Sequence, residues 1–129
     1  MGEAPEPGRP ADQRAVSGRR GETAAADWLA ERGIVILERN CRNRWGEIDL
    51  IGQAGELLLF FEVRSRRTDA FGRPAETVNH RKRTKLRQLA AIYLSKTEQW
   101  DRPCRFDVVG ILTDDRGDVR EIEWVQDAF

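Results

Sequence analysis

The spacing of apolar residues changes period along the chain. Ala25, Trp28, Leu29 and Arg32 fall at helical spacing, and Gly33 follows as a terminator, which predicts a helix over 20–32. "IVIL" at 34–37 predicts a short strand, and "NCRNRWG" at 40–46 a basic loop or the end of that strand. Residues 48–52 and 57–65 read as strands joined by "QAGE", where Gly55 suits a tight turn. A loop over 68–74 precedes a long helix over 75–96, whose stripe includes Val78, Leu86, Leu89, Ala90, Tyr93 and Leu94. Residues 106–112 and 119–125 are further strands around the turn "DDRG".

The order is therefore α-β-β-β-α-β-β. The central strand carries Leu58 and Phe60 on one face and Leu57, Leu59 and Phe61 on the other. A strand that is apolar on both faces needs cover on both, which predicts an α/β protein with a three-layer α/β/α arrangement and a central mixed sheet. The 129 residues suit one domain. Residues 1–17, with Pro5, Pro7 and Pro10 and little apolar content, read as a disordered lead-in, leaving 18–129 as the domain.

Charge alters this picture through its distribution. The 22 basic and 22 acidic residues cancel, yet 38–105 carries a net +6 and 106–129 a net −5. A local positive face in a neutral protein is thus expected. Cys41 and Cys104 lie far apart, with neither zinc-ligand nor disulfide-framework spacing, so both are expected as small apolar fillers in a reducing cytoplasm. The longest strongly apolar run, 57–61, is far too short to span a bilayer, and the N-terminus has no hydrophobic signal core. A soluble cytoplasmic protein with no membrane partner is the expectation.

The candidate chemistry lies in the hairpin. With a turn at Ala54-Gly55, Gln53 faces Glu56, Glu47 faces Glu62 and Asp49 faces Phe60, so Glu47, Asp49, Glu62 and Arg64 share one face. Asp49 and Glu62 are then diagonal neighbours, and one ion can bridge them. Carboxylates beside apolar strands repel each other and lose hydration unless a cation compensates. Mg²⁺ (or Mn²⁺) takes one or two carboxylates and can activate water against a phosphodiester. The plain alternative is a strand end in water, with Glu62 paired to Arg64.

"GRRGETAAADWLAERG", "NCRNRWGEIDLI", "LLLFFEVRSR", "AETVNHRKRTKL" and "RFDVVGI" together resemble the YraN-like family of small, largely uncharacterised bacterial proteins over roughly 18–112. That family is related to the Holliday junction resolvase-like branch of the PD-(D/E)xK nucleases. The resemblance implies a restriction-endonuclease-like fold and an endonuclease-like, nucleic-acid-binding domain. It implies metal ligation by Asp49 and Glu62, with the carbonyl of Val63 as a further ligand, and a supporting acid at Glu22. Glu22 also lies three and seven residues before Ala25 and Leu29, on the helix's packing side. Its plain reading is an acid in a first helical turn. The motif's last position, usually lysine, is Arg64, which stays protonated and is a poor proton acceptor. This leaves enzyme activity open between reduced cleavage and binding without cleavage.

Arg81, Lys82, Arg83, Lys85 and Arg87 crowd the start of the long helix, where cations oppose the helix dipole, so phosphate contact explains them better than helix stability does. Lys82 also matches a basic position of the family. With Arg42, Arg44, Arg66 and Arg67 they can line a groove for nucleic acid, DNA foremost; a solvated face is the alternative. Trp45 is either packing or a stacking surface for an unpaired base. His80 reads as a surface residue and Asp107 as a support for strand or loop geometry. Trp124, Val125 and Phe129 either pack on the sheet or join two copies in a homodimer. The rival functions are a non-catalytic nucleic-acid-binding module and a protein-interaction adaptor.

Overall fold

Leu58, Leu59, Phe60 and Phe61 are almost wholly buried, and the remaining elements are arranged to cover them. The computed structural model describes residues 10–67 and 78–129, with side chains from 19 onward. The elements are α1 (Pro10–Glu31), β1 (Val35–Asn43), β2 (Gly46–Ala54), β3 (Leu57–Arg67), α2 (His80–Lys96), β4 (Cys104–Thr113) and β5 (Val119–Val125). The strands form one sheet in the order β1-β2-β3-β4-β5. Only β3 and β4 run parallel, so the sheet is mixed and the fold is α/β. That parallel step requires a crossover, which the chain makes through α2.

Alternation along β3 divides the core in two. Leu59 and Phe61 pack with Ala25, Ala26 and Leu29 of α1 and with Leu50, Val109 and Ile111. Leu58 and Phe60 pack with Leu86, Leu89 and Ala90 of α2 and with Ile48 and Ile51. The predicted element order is observed, with shifted boundaries. α1 starts at Pro10, where a proline's missing N–H costs a helix nothing, ten residues ahead of the predicted start at 20. Residues 1–9 lie outside the described residues, as do the predicted loop at 68–74 and the predicted helix start at 75–77. α2 begins only at His80, because the Asn79 side chain caps it by accepting the Lys82 N–H at 2.9 Å. Val78 is buried ahead of the helix rather than on its stripe.

The hairpin turn differs from expectation by one position. Ala54 pairs with Leu57, so Gly55 and Glu56 form the turn. Gly55 has φ 60° and Glu56 has no positive φ, the pattern of a type II′ turn, which wants glycine at its first central position. Each β2 residue therefore meets a partner two positions further along β3 than predicted, and Phe60 faces Ile51 instead of Asp49. Of the two cysteines, Cys41 packs against the α2-side core, while Cys104 is exposed and fills nothing. Among the described residues no helix is long and apolar enough to cross a membrane.

Asp107 anchors the C-terminal segment. It is fully buried and accepts from Arg105 Nε (2.9 Å) and Nη2 (2.8 Å), from Trp124 Nε1 (2.9 Å) and from the Asp127 N–H (2.8 Å). Trp124 thereby meets Trp28 edge-on with centroids 6.1 Å apart, and Phe129 stacks on Phe106 at 5.3 Å. These tail aromatics pack on their own sheet. Asp107→Ala leaves those donors without an acceptor in the interior. It is expected to cost about 3–5 kcal/mol, measured by urea denaturation.

Candidate functional site

The β2–β3 ladder ends at Leu50↔Phe61. Beyond that pair β2 continues alongside β1, with Ile48 opposite Cys41 and Glu47 opposite Arg42, while β3 continues alongside β4, with Glu62 opposite Val108. The sheet thus forks just past Leu50, and Asp49 stands in the fork. Its Oδ2 accepts the backbone N–H of Val63 at 2.8 Å, replacing the ladder bond that the parting strands no longer make.

Three carboxylates converge on this point. One oxygen each from Glu22, Glu47 and Asp49 lies within 4.8 Å of the others, and all three side chains are half-buried. Glu22 comes from α1, on the turn before Ala25 and Leu29, whose burial turns that side of the helix to the sheet. Glu47 and Asp49 come from β2. Asn40 clamps the group: its Nδ2 lies 2.6 Å from both Glu22 Oε1 and Glu47 Oε2. Asn40 has φ 51°, a left-handed conformation that asparagine tolerates better than most residues. Arg42 also donates to Glu47, at 2.9 Å from Nη2.

Glu62 and Arg64 lie on the other side. Glu62 Oε2 is 3.2 Å from Arg64 Nε and 3.7 Å from Lys82 Nζ of α2. The Arg64 contact is an ion pair by distance without hydrogen-bond geometry, and Glu62 Oε1 is buried with no hydrogen-bond partner of good geometry among the described residues. The expected single-face cluster of Glu47, Asp49, Glu62 and Arg64 is therefore corrected. Ile48 and Ile51 both pack against α2 although three residues apart, so β2 loses strict alternation here. Glu47 turns toward α1, Glu62 toward α2, and Asp49 lies between them in the gap.

Electrostatics follow this geometry. Burial, then the Glu62 charge, raise the Asp49 carboxyl to about 8 against the pull of the Val63 N–H, with smaller pushes from Glu22 and Glu47. Burial also raises Glu62, opposed by the charges of Lys82 and Arg64 and by a hydrogen bond with Asp49. Asp49 has no cation of its own among these causes, whereas Glu62 has two. Oxygens on opposite sides of a Mg²⁺ ion lie about 4 Å apart, so small closing movements would let the Glu22, Glu47 and Asp49 set grip one cation. Sequence reasoning placed Glu47 on the hairpin's candidate face without giving it a metal-ligand role, and it did not name Asn40. Glu47 was signalled by its position two before Asp49, whereas nothing in the sequence pointed to Asn40.

Residues 21–111 match the profile of the Uncharacterised protein family UPF0102. The chain belongs to that family. It is 47% identical over 112 residues to a UPF0102 protein of Moorella thermoacetica, covering 87% of this chain and 93% of the relative. It is 42% identical over 119 residues to one of Pelotomaculum thermopropionicum, covering 92% and 99%. It is also 44% identical over 113 residues to one of Rhodococcus opacus, covering 87% and 94%. The expected membership of an uncharacterised family holds under that description. The matched UPF0102 span includes Glu22, Asn40, Glu47, Asp49, Glu62 and Arg64.

The basic residues of this UPF0102 chain do not form one row. Lys82 is committed to Glu62, while Arg83 and Arg87 lie over the Phe129 ring at 5.6 and 5.5 Å. Arg81 is exposed, as is His80. Arg42, Arg44 and Lys85 gather around the β1–β2 tip, where Lys85 Nζ donates to the Trp45 carbonyl at 3.1 Å. Arg66 and Arg67 instead line a cleft of about 160 Å³ with Arg20 and Ser65.

The raised Asp49 fixes a sign for pH dependence. Between about 4 and 8 the folded protein holds a proton on Asp49 that the unfolded chain has released, so this group's contribution to stability is lost as pH rises through that window. Asp49→Asn should therefore stabilise the protein more at pH 8 than at pH 5 and flatten its melting temperature across that range, measured by thermal denaturation without divalent ions.

Proposed function

We propose that this protein is a metal-dependent, endonuclease-like protein acting on phosphodiester bonds of nucleic acid, DNA foremost, in the cytoplasm. On this reading its sheet is the core of a restriction-endonuclease-like α/β/α fold related to the Holliday junction resolvase-like nucleases. The observation that carries the reading is the convergence of Glu22, Glu47 and Asp49 within 4.8 Å, beside Glu62, whose Oε1 has no hydrogen-bond partner of good geometry among the described residues. Like charges gathered in a partly dry gap repel each other, and a divalent cation is the compensation their chemistry fits.

Glu22, Glu47 and Asp49 would hold Mg²⁺ or Mn²⁺, with Glu62 reaching it through Oε1 and Val63 through its carbonyl. The bound ion would supply Lewis acidity and an acidified water. The chain's own groups set the stage for this. The Val63 N–H fixes the orientation of Asp49, and the Asn40 amide holds Glu22 and Glu47 together. Arg64, permanently protonated, neutralises phosphate charge but does not accept a proton.

A second reading, a nucleic-acid-binding module that does not cut, is favoured by one observation. The second acid of the pair, Glu62, already has Arg64 and Lys82 as cations. The two readings part under titration with Mn²⁺ at pH 8. If a metal centre exists, Mn²⁺ at a hundredfold excess over its Kd stabilises the wild type by about 2.7 kcal/mol, roughly 10 °C, and Asp49→Asn abolishes the shift. Cleavage of branched or linear DNA that needs Mn²⁺ and Asp49 supports the nuclease. A shift without cleavage, with cleavage gained in Arg64→Lys, supports the binding module. No shift in the wild type contradicts the metal centre.

A further inference from the structure

The functional reading leaves Trp45 unused. It lies at the tip between β1 and β2 with 53% of its surface exposed, and neither core cluster includes it. The packing role open to it in sequence is therefore not the one it takes. Its backbone is held firmly: the Trp45 N–H donates to Asn43 Oδ1 at 2.8 Å, and its carbonyl accepts from Lys85 Nζ at 3.1 Å. The next residue, Gly46, has φ 155° and sits so close to α2 that an added Cβ would come within 3.2 Å of Leu89 Cδ1. The tip is thus docked on α2, and the ring projects from a braced backbone.

The surroundings of the ring are cationic. The Arg44 guanidinium lies 4.4 Å from its centroid, Lys85 reaches the same peptide, and Arg42, which also donates to Glu47, stands on the adjoining strand with its side chain 73% exposed. An apolar protein partner placed here would strip water from these charges at a cost. A nucleic-acid strand offers phosphates to the cations and a flat aromatic face to the indole. Trp100 provides the contrast: it is 62% exposed, yet among the described residues no guanidinium stands over its ring.

We propose that Trp45 is a stacking platform for an unpaired nucleobase, braced by Asn43 and Lys85 and flanked by Arg42 and Arg44. This rests on the nucleic-acid reading above and adds the form of substrate: strands with single-stranded or extruded bases are preferred over continuous duplex. Trp45 is four residues from Asp49 on the same hairpin, about 13 Å at the rise of a strand. The stacked base therefore lies a few nucleotides from the proposed reacting phosphate.

The test is fluorescence anisotropy with a short fluorescein-labelled oligothymidine strand and a blunt duplex of equal length. The wild type should bind the single strand more tightly. Trp45→Ala should lose about 5- to 150-fold on the single strand, the equivalent of one stacked base, while duplex affinity and melting temperature stay unchanged. Trp45→Phe should retain most of the preference, and Trp100→Ala should change neither affinity. Unchanged single-strand affinity in Trp45→Ala, or an equal loss on both probes, overturns the stacking site and leaves the metal-centre reading standing. Failure of the wild type to bind either probe overturns the stacking site together with the nucleic-acid reading beneath it.

Discussion

One hydrogen bond organises the site: the backbone N–H of Val63 donating to the Asp49 carboxylate where the β2–β3 ladder ends. A part-buried N–H needs an acceptor, and where the strands part a side chain on the neighbouring strand supplies it in place of a ladder carbonyl. That requirement holds a carboxylate in the gap between two strands, away from the open solvent that would screen it. Burial and the nearby Glu62 then raise its affinity for protons, and Glu22 and Glu47 gather beside it from α1 and β2. The fork that ends one ladder thus also gathers the carboxylates whose charges bear on Asp49.

The remaining polar groups divide into those the fold satisfies internally and those it leaves outward. Asp107 is deep in the sheet and fully matched, with Arg105, Trp124 and the Asp127 N–H all directed at it, so it serves the packing of the tail. Lys82, Arg83 and Arg87 are likewise drawn to Glu62 and Phe129. The acids of the fork are matched only in part. Asn40 donates to two of them and Arg42 to one, while Glu62 Oε1 lacks a hydrogen bond among the described residues. Burial of incompletely compensated charge costs stability, and the cation proposed above would offset that cost.

Much of this was legible in the sequence because it rests on periodicity. The double-sided apolar pattern of 57–61 demanded cover on both faces, and the helical stripes at 25–29 and 86–94 supplied it. The pairing of β2 with β3 was legible, but its register was not, since a two-residue turn at 54–55 or at 55–56 looks alike until Ala54 is seen to pair with Leu57. Placing Glu47, Asp49, Glu62 and Arg64 on one face failed for a related reason. Alternation holds only along an unbroken ladder, and β2 departs from it between Ile48 and Ile51. Asn40 was invisible because its role depends on a left-handed backbone and on two acids from different elements. The Asn79 cap, which delays α2 to His80, could have been read from an asparagine standing just before the basic run.

The most direct measurement is a crystal structure of the protein soaked in Mn²⁺, with data collected at the manganese absorption edge. The account predicts an anomalous peak bound jointly by oxygens of Glu22, Glu47 and Asp49, with the Val63 N–H still donating to the other Asp49 oxygen. A fork free of anomalous signal, with Asp49 protonated against Glu62 and the latter still held by Arg64 and Lys82, would contradict it.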